Sequence, residues 1–256
     1  MKEASAPSDP TKIGEKVSII MPVYRLSDSV IRSIKAVENV MKASNYDYEI
    51  IVVDDGSQDD TYYHAISVCD DNTIRAYRLP RNMGKGFALL YGFRRSSGSL
   101  IVFFDGDLDI DPRQILLLLN ILKNSNADIV ITSKWHPNSK TIATLIREFL
   151  SKAFYAIVRL LVGLRVGDTQ TGAKAFRRKC LEDSFKNLTV KRYAFDVELL
   201  TAATVKGYKI VEAPALWRIR LTSRFKIREI IRMIIDVMAI TYRHRIKKQY
   251  SSHEEF

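Results

Sequence analysis

Four carboxylates arrive at alternate positions where an apolar run ends: the segment FFDGDLDID, residues 103–111, carries Asp105, Asp107, Asp109 and Asp111. Like charges at that spacing repel one another unless a cation neutralises them. A hard divalent ion, Mg²⁺ or Mn²⁺, held by one or two carboxylates and completed by substrate phosphates suits these ligands. Asp111, directly before Pro112, also suits a helix cap, a role that needs only one carboxylate. A second acidic pair, Asp54-Asp55, closes another apolar run and leads into GSQDDT, which taken alone reads as a turn. The loop RNMGKGFAL at 81–89 sets two glycines and Lys85 before a helical pattern, where backbone N–H groups and a cation can meet a phosphate. It is neither a Walker loop, which needs Gly-Lys-Ser/Thr after a longer spacing, nor a dinucleotide fingerprint, whose third small residue is replaced by Leu89.

Short β-branched runs at 17–23, 49–55, 74–80, 99–105 and 127–133 predict strands, and periodic segments at about 27–43, 60–69, 86–95 and 112–124 predict the helices between them. Ser27 and Asp28 are candidate caps for the first helix. The alternation predicts an α/β fold: a doubly wound, mostly parallel sheet with flanking helices. Ligands of such sheets bind beyond the carboxyl ends of the strands, where Asp54, Asp55 and Asp105 stand. After Ser133 the alternation stops. A basic amphipathic stretch follows at 141–164, then the Gly-containing segment VGDTQTGAKAFRR at 166–178, a helix over 195–207 and a strand over 208–215. Residues 224–250 carry eight basic and two acidic side chains on a helical pattern.

The chain has 256 residues, 46% hydrophobic and 27% charged, as ordinary folded proteins do. Its net charge of +11 is unevenly spread: residues 1–133 hold 15 basic and 18 acidic side chains, residues 134–250 hold 25 and 9. That asymmetry points to an anionic partner. The two cysteines, Cys69 and Cys180, form no metal-binding spacing and no disulfide framework, which implies a reducing, cytoplasmic setting. The polar first residues lack the apolar core of a secretory signal, and every apolar stretch is interrupted by charge before it could span a membrane.

Taken together, PVY at 22–24, VDDGSQDDT at 53–61, NMGKG at 82–86 and DGD at 105–107 resemble the nucleotide-sugar-binding half of family 2 inverting glycosyltransferases, which have the GT-A fold. DTQTGAKAFRR at 168–178 and RYAFDVELL at 192–200 are similar to segments of the dolichyl-phosphate glucose and mannose synthases of that family, the glucose type more closely. The resemblance covers roughly residues 16–225. It implies a flexible leader at 1–15, a transferase domain at 16–225 with its donor half at 16–133 and its acceptor half at 134–225, and a basic amphipathic helix and tail at 226–256.

Carried over position by position, the resemblance places Pro22, Tyr24 and Asp54 or Asp55 against the nucleoside, with Lys85 and Asp105 completing the nucleotide site. Asp105 and Asp107 match the family's Asp-x-Asp motif. Asp109 falls where mannose-type members often carry Gln as a third metal ligand. Lys134 follows the fifth strand where the family commonly has Arg, and Arg147 with Ser151 matches its Arg-x-x-x-Ser; these three are expected to hold phosphates. Arg220, Ser223 and Arg224 resemble the basic loop that closes over the site. The expected catalytic set is Asp107, Lys134, Arg147 and Asp196.

The leaving nucleoside diphosphate gains negative charge as the glycosidic bond breaks, so a metal and basic side chains stabilise the transition state. A polyprenyl or dolichyl phosphate acceptor is already anionic and needs no general base. A hydroxyl acceptor requires one, and Asp196 is the candidate. Asp196 and Glu198 lie two apart on one helix and do not share a face. The basic amphipathic stretches suit the surface of an anionic membrane, giving a peripheral protein on its cytoplasmic face, with or without a separate membrane subunit. Nucleic-acid binding finds no recognition helix, aromatic motif or zinc module to support it. A nucleotidyltransferase would need a Gly-rich loop where this chain has PVYRLSDS.

Overall fold

A computed structural model describes residues 13–70, 72–139, 145–190, 194–216 and 227–251. In chain order the elements are β1 (Ile13–Val23), α1 (Val30–Lys42), β2 (Tyr46–Asp54), α2 (Thr61–Ile66), β3 (Ile74–Arg78), α3 (Lys85–Phe93), β4 (Leu100–Phe104) and α4 (Gln114–Asn124). They continue as β5 (Ile129–Ser133), α5 (Leu145–Val162), β6 (Ala173–Arg177), α6 (Arg178–Phe185), α7 (Phe195–Val205), β7 (Ile210–Pro214), α8 (Ile227–Thr241) and a π-helical turn at Tyr242–Ile246.

The seven strands form one sheet in the order β3-β2-β1-β4-β6-β5-β7. All neighbours run parallel except β6, which is antiparallel to both β4 and β5. The chain winds outward from β1 through β2 to β3 and then returns to place β4 on the other side of β1. That reversal opens a crevice at the carboxyl ends of β1 and β4, the usual ligand position in an open α/β sheet.

Side chains alternate across the strands and bury both faces. From β1, Ile19 and Met21 enter one core layer with Val30, Ile34, Val37 and Met41 of α1 and Leu118 and Leu122 of α4. Ile20 enters the other with Leu89 of α3, Val158 of α5, Leu181 of α6, Leu199 of α7 and Val237 and Ile240 of α8. Burying each such aliphatic side chain stabilises the fold by about 1.5–3 kcal/mol.

Helix α1 starts later than the sequence predicts. The Leu26 carbonyl accepts from the N–H groups of both Ser29 and Val30, so Ser29, rather than Ser27 or Asp28, precedes the first turn. The segment at 166–178 contains a strand, β6, that the sequence reading takes as a connection, and α6 follows it directly. The carboxyl-terminal segment is tied to α7 by fully buried Glu198, which accepts from Tyr250 Oη at 2.6 Å, pairs with Arg243 Nη2 at 3.1 Å and caps the N–H groups of Thr189 and Val190. Gln249 and Asn187 exchange two side-chain to backbone hydrogen bonds beside it. No helix among the described residues is long and apolar enough to cross a membrane.

Candidate active site

A cleft of about 360 Å³ opens at the β1/β4 crevice, lined by Pro22, Val23, Tyr24 and Leu26 after β1, Asp55 after β2, Asn82, Gly84 and Lys85 at the start of α3, and Asp105, Gly106 and Asp107 after β4, with Arg232 from α8. The loops that shape it are stitched together. Arg25 N–H donates to Ser57 Oγ at 2.9 Å and Leu26 N–H to Thr61 Oγ1 at 2.8 Å, which fixes the turn carrying half-exposed Tyr24. Arg25 itself lies over the Tyr24 ring, 5.3 Å from its centroid.

The two aspartates closing β2 have different surroundings. Asp54 is fully buried, accepting from Ser57 N–H at 3.1 Å and from the Ser57 hydroxyl, with Arg78 Nε at 3.4 Å. Asp55 reaches the cleft and accepts from the N–H groups of Met83 at 2.7 Å and Gly84 at 2.9 Å, shaping the loop before α3. Gly84 has φ +96°, a conformation open to glycine and strained for other residues.

Lys85 grips both oxygens of Asp105, with Nζ at 2.7 and 2.8 Å. Burial pushes the Asp105 carboxyl above its ordinary range; Lys85 opposes this and neighbouring Asp107 adds to it. Burial disfavours the Lys85 ammonium, yet Asp105, Asp196 and Asp107 together hold it above the usual lysine value. Three carboxylates thus act on the one ammonium of Lys85.

Asp107 accepts from the N–H of Asp109 at 3.0 Å and lines the cleft beside Asp105. Asp109 is half-buried and is not among the lining residues. Asp111 accepts from Arg113 N–H at 2.9 Å and pairs with its guanidinium in the turn before α4, but the residue preceding the helix is Arg113 and no side chain caps it. Among the described residues no group of three His, Cys, Asp or Glu side chains converges as a metal cage. Two carboxylates in one cleft fit a hard cation whose other ligands are substrate oxygens.

Beneath Asp105 lies a second ion pair that the sequence reading misses. Lys174 on β6 is 1% exposed, donating to Thr171 O at 2.6 Å and to Asp196 at 2.7 Å. The two pairs sense each other, since Lys174 acts on Asp105 and Asp196 acts on Lys85. Gly86 lets α3 approach the Phe195 ring so closely that a β-carbon would overlap it.

Of the residues expected to hold acceptor phosphates, Lys134 and Ser151 are described and neither lines this cleft. Lys134 pairs with buried Asp168 at 3.3 Å and lies near the Trp135 ring, which Lys152 of α5 also approaches. Ser151 is half-buried on α5, and Arg147 lies on the same helix, its side chain outside the described residues. Arg220, Ser223 and Arg224 lie outside the described residues. Arg232, which no local motif singles out, is brought to this cleft by the packing of α8 against α5 and α7.

The chain is 31% identical over 242 residues to a dolichyl-phosphate beta-glucosyltransferase of Trichomonas vaginalis, covering 90% of this chain and 74% of that protein. It is 32% identical over 223 residues to the human dolichyl-phosphate beta-glucosyltransferase, covering 81% and 68%. Among solved structures, glucosyl-3-phosphoglycerate synthase from Mycobacterium tuberculosis superposes with a TM-score of 0.67 at 22% identity, over 90% of this chain and 80% of that one. The same enzyme in complex with Mn²⁺, UDP-glucose and glycerol 3-phosphate gives 0.65 at 22% identity, over 90% and 79%. Glycosyl transferase family 2 matches residues 18–185, and the chain belongs to that family, with its GT-A fold.

Proposed function

We propose that this enzyme transfers a hexose, glucose in preference to mannose, from a nucleoside diphosphate sugar to a polyprenyl or dolichyl phosphate, with inversion at the anomeric carbon. The observation that carries this is the single cleft in which Asp105, Asp107 and Lys85 meet Tyr24 and Asp55 at the ends of β1, β2 and β4. The names of relatives about 30% identical support the lipid phosphate and the glucose.

In this reading Tyr24 and Pro22 flank the nucleoside, Asp55 faces its base, and Lys85 stands where the diphosphate lies. Asp105 and Asp107 would hold Mg²⁺ or Mn²⁺, which when bound stabilises the charge gathering on the departing diphosphate. Lys85 adds a fixed positive charge at the same place and needs no reorganisation during reaction. The acceptor phosphate is already anionic, so its oxygen attacks without a general base. Lys134, Arg147, Ser151, Arg220, Ser223 and Arg224 are the groups assigned to hold it and to offset repulsion between the two anions. The protein works as a peripheral enzyme on the cytoplasmic face of a membrane.

The test is transfer of labelled sugar from UDP-glucose and from GDP-mannose into an organic-extractable product, with dolichyl phosphate, Mg²⁺ or Mn²⁺ and an Asp107→Asn control. Metal-dependent label in the lipid phase, stronger from UDP-glucose and lost in the variant, is expected. Donor binding without lipid-phase label from either sugar nucleotide would overturn the lipid-phosphate acceptor and turn attention to a hydroxyl acceptor with Asp196 as base.

A further inference from the structure

Helix α8 is apolar on two sides, and core packing explains only one. At about 100° per residue, Val237 and Ile240 point together into the core, where both are fully buried. Ile235 and Met238 lie on the opposite side and are 54% and 53% exposed, and Tyr242, which opens the π-helical turn after α8, is 49% exposed. Arg232 lies one turn before Ile235, flanks that outer stripe, and reaches the cleft that holds Asp105, Asp107 and Lys85. It is the one lining residue from beyond Asp107 in the sequence. The other basic lining residue, Lys85, is engaged by Asp105.

Resting on the function proposed above, we infer that Arg232 binds the phosphate of the acceptor and that the outer stripe of α8 guides the apolar chain of that acceptor away from the cleft. A guanidinium presents paired N–H donors that match two phosphate oxygens. A cation at the cleft mouth also offsets the repulsion between an incoming phosphate and the donor diphosphate. An exposed apolar stripe leading away from that cation suits a molecule with a phosphate head and a hydrocarbon tail. A nucleoside diphosphate has no use for it. The carboxyl-terminal tie of Glu198 to Arg243 and Tyr250 sets where α8 lies, and so where Arg232 sits.

Arg232→Ala and Arg232→Lys test this, with dolichyl phosphate varied in steady-state transfer and with calorimetric binding of UDP plus Mn²⁺, of citronellyl phosphate and of glycerol 3-phosphate. Arg232→Ala is expected to raise the acceptor KM at least tenfold and to weaken citronellyl phosphate binding by a similar factor. Arg232→Lys should recover part of both, while UDP affinity stays within twofold and Tm is unchanged. An equal loss of UDP affinity would make Arg232 a donor ligand and overturn the inference. Glycerol 3-phosphate binding as tightly as citronellyl phosphate would remove the lipid chain from it. Wild-type protein that transfers to lipid phosphate while Arg232→Ala matches it overturns this inference alone. Wild-type protein that neither transfers to nor binds an isoprenyl phosphate overturns the proposed function as well.

Discussion

The carbonyl of Gly172 accepts the Asp105 N–H at 2.9 Å, and the place where a β-carbon on Gly172 would sit is occupied by the Asp105 carboxylate. The aspartate that ends β4 is thus seated against a bare stretch of backbone just before β6. Gly172→Ala must push the carboxylate out of register with Asp107 and Lys85. Because displacements of about 1 Å cost roughly 100-fold in rate, kcat/KM should fall by about that factor. Steady-state transfer with a parallel melting curve checks this, and near-wild-type activity would refute the seating role.

Lys174→Met removes the partner of Asp196 in a buried site. Stranding one member of such a pair costs about 3–5 kcal/mol, to be read by denaturant unfolding. Adding Asp196→Asn should restore part of the loss. The double variant, in which neither charge is stranded, separates the acceptor classes, since a lipid-phosphate acceptor should retain measurable kcat and a hydroxyl acceptor should lose it by at least 100-fold.

Glu49 lies on the far part of β2 from the cleft, buried and bonded to Ser18 Oγ at 2.6 Å, Ser97 N–H at 2.6 Å and the Arg75 guanidinium. Burial alone would raise its carboxyl, but the hydrogen bonds from Ser18 and Ser97 and the charge of Lys16 hold it below the ordinary glutamate value. A lowered folded-state value contributes stability above the unfolded pKa of about 4.3, and that stability is lost as pH falls through the folded value. Glu49→Gln should therefore cost about 1–3 kcal/mol at pH 7 and flatten the acid limb of the stability profile. Identical acid limbs in wild type and variant would contradict the assignment.

Leu160 on α5 is 76% exposed and Ile246 in the π-helical turn 69%, and Arg245 donates to Leu160 O at 3.1 Å between them. Apolar side chains among Lys and Arg suit the interface of an anionic bilayer. Sedimentation with phosphatidylserine vesicles should capture the protein at low salt and release it as salt rises. Leu160→Ser with Ile246→Ser should weaken capture at every salt concentration. Absence of binding at low salt would count against a peripheral membrane enzyme.

The parallel part of the sheet was legible because β1 to β5 are short β-branched runs separated by periodic helices, and because Asp105 and Asp107 follow an apolar strand. Asp111 instead holds the turn before α4 through Arg113 rather than capping the helix, a detail the neighbouring proline does not reveal. What stayed hidden lacked a local signal. In β6, Ala-Lys-Ala-Phe places a lysine where a core residue belongs, and its charged partner Asp196, 22 positions later, together with the Thr171 carbonyl makes that burial tolerable. Arg232 looks like any other basic residue on a helix; its place at the cleft comes from tertiary packing. The contrast between Asp54 and Asp55 also depends on which neighbours reach them, Ser57 and Arg78 for one and the loop before α3 for the other.

The insertion of β6 between β4 and β5 has a consequence during synthesis. These two strands precede β6, yet they meet only through it, so a nascent chain that has just completed β5 still carries an open edge on β4. Long-range pairings of this kind form late, and unpaired edges are vulnerable until they do. Lys174, Asp196 and finally α8 then arrive in that order from the ribosome. The cleft at the carboxyl ends of β1 and β4 is thus finished from its floor upward, and a truncated chain would present its aspartates without the ion pair beneath them or the helix that lines one side.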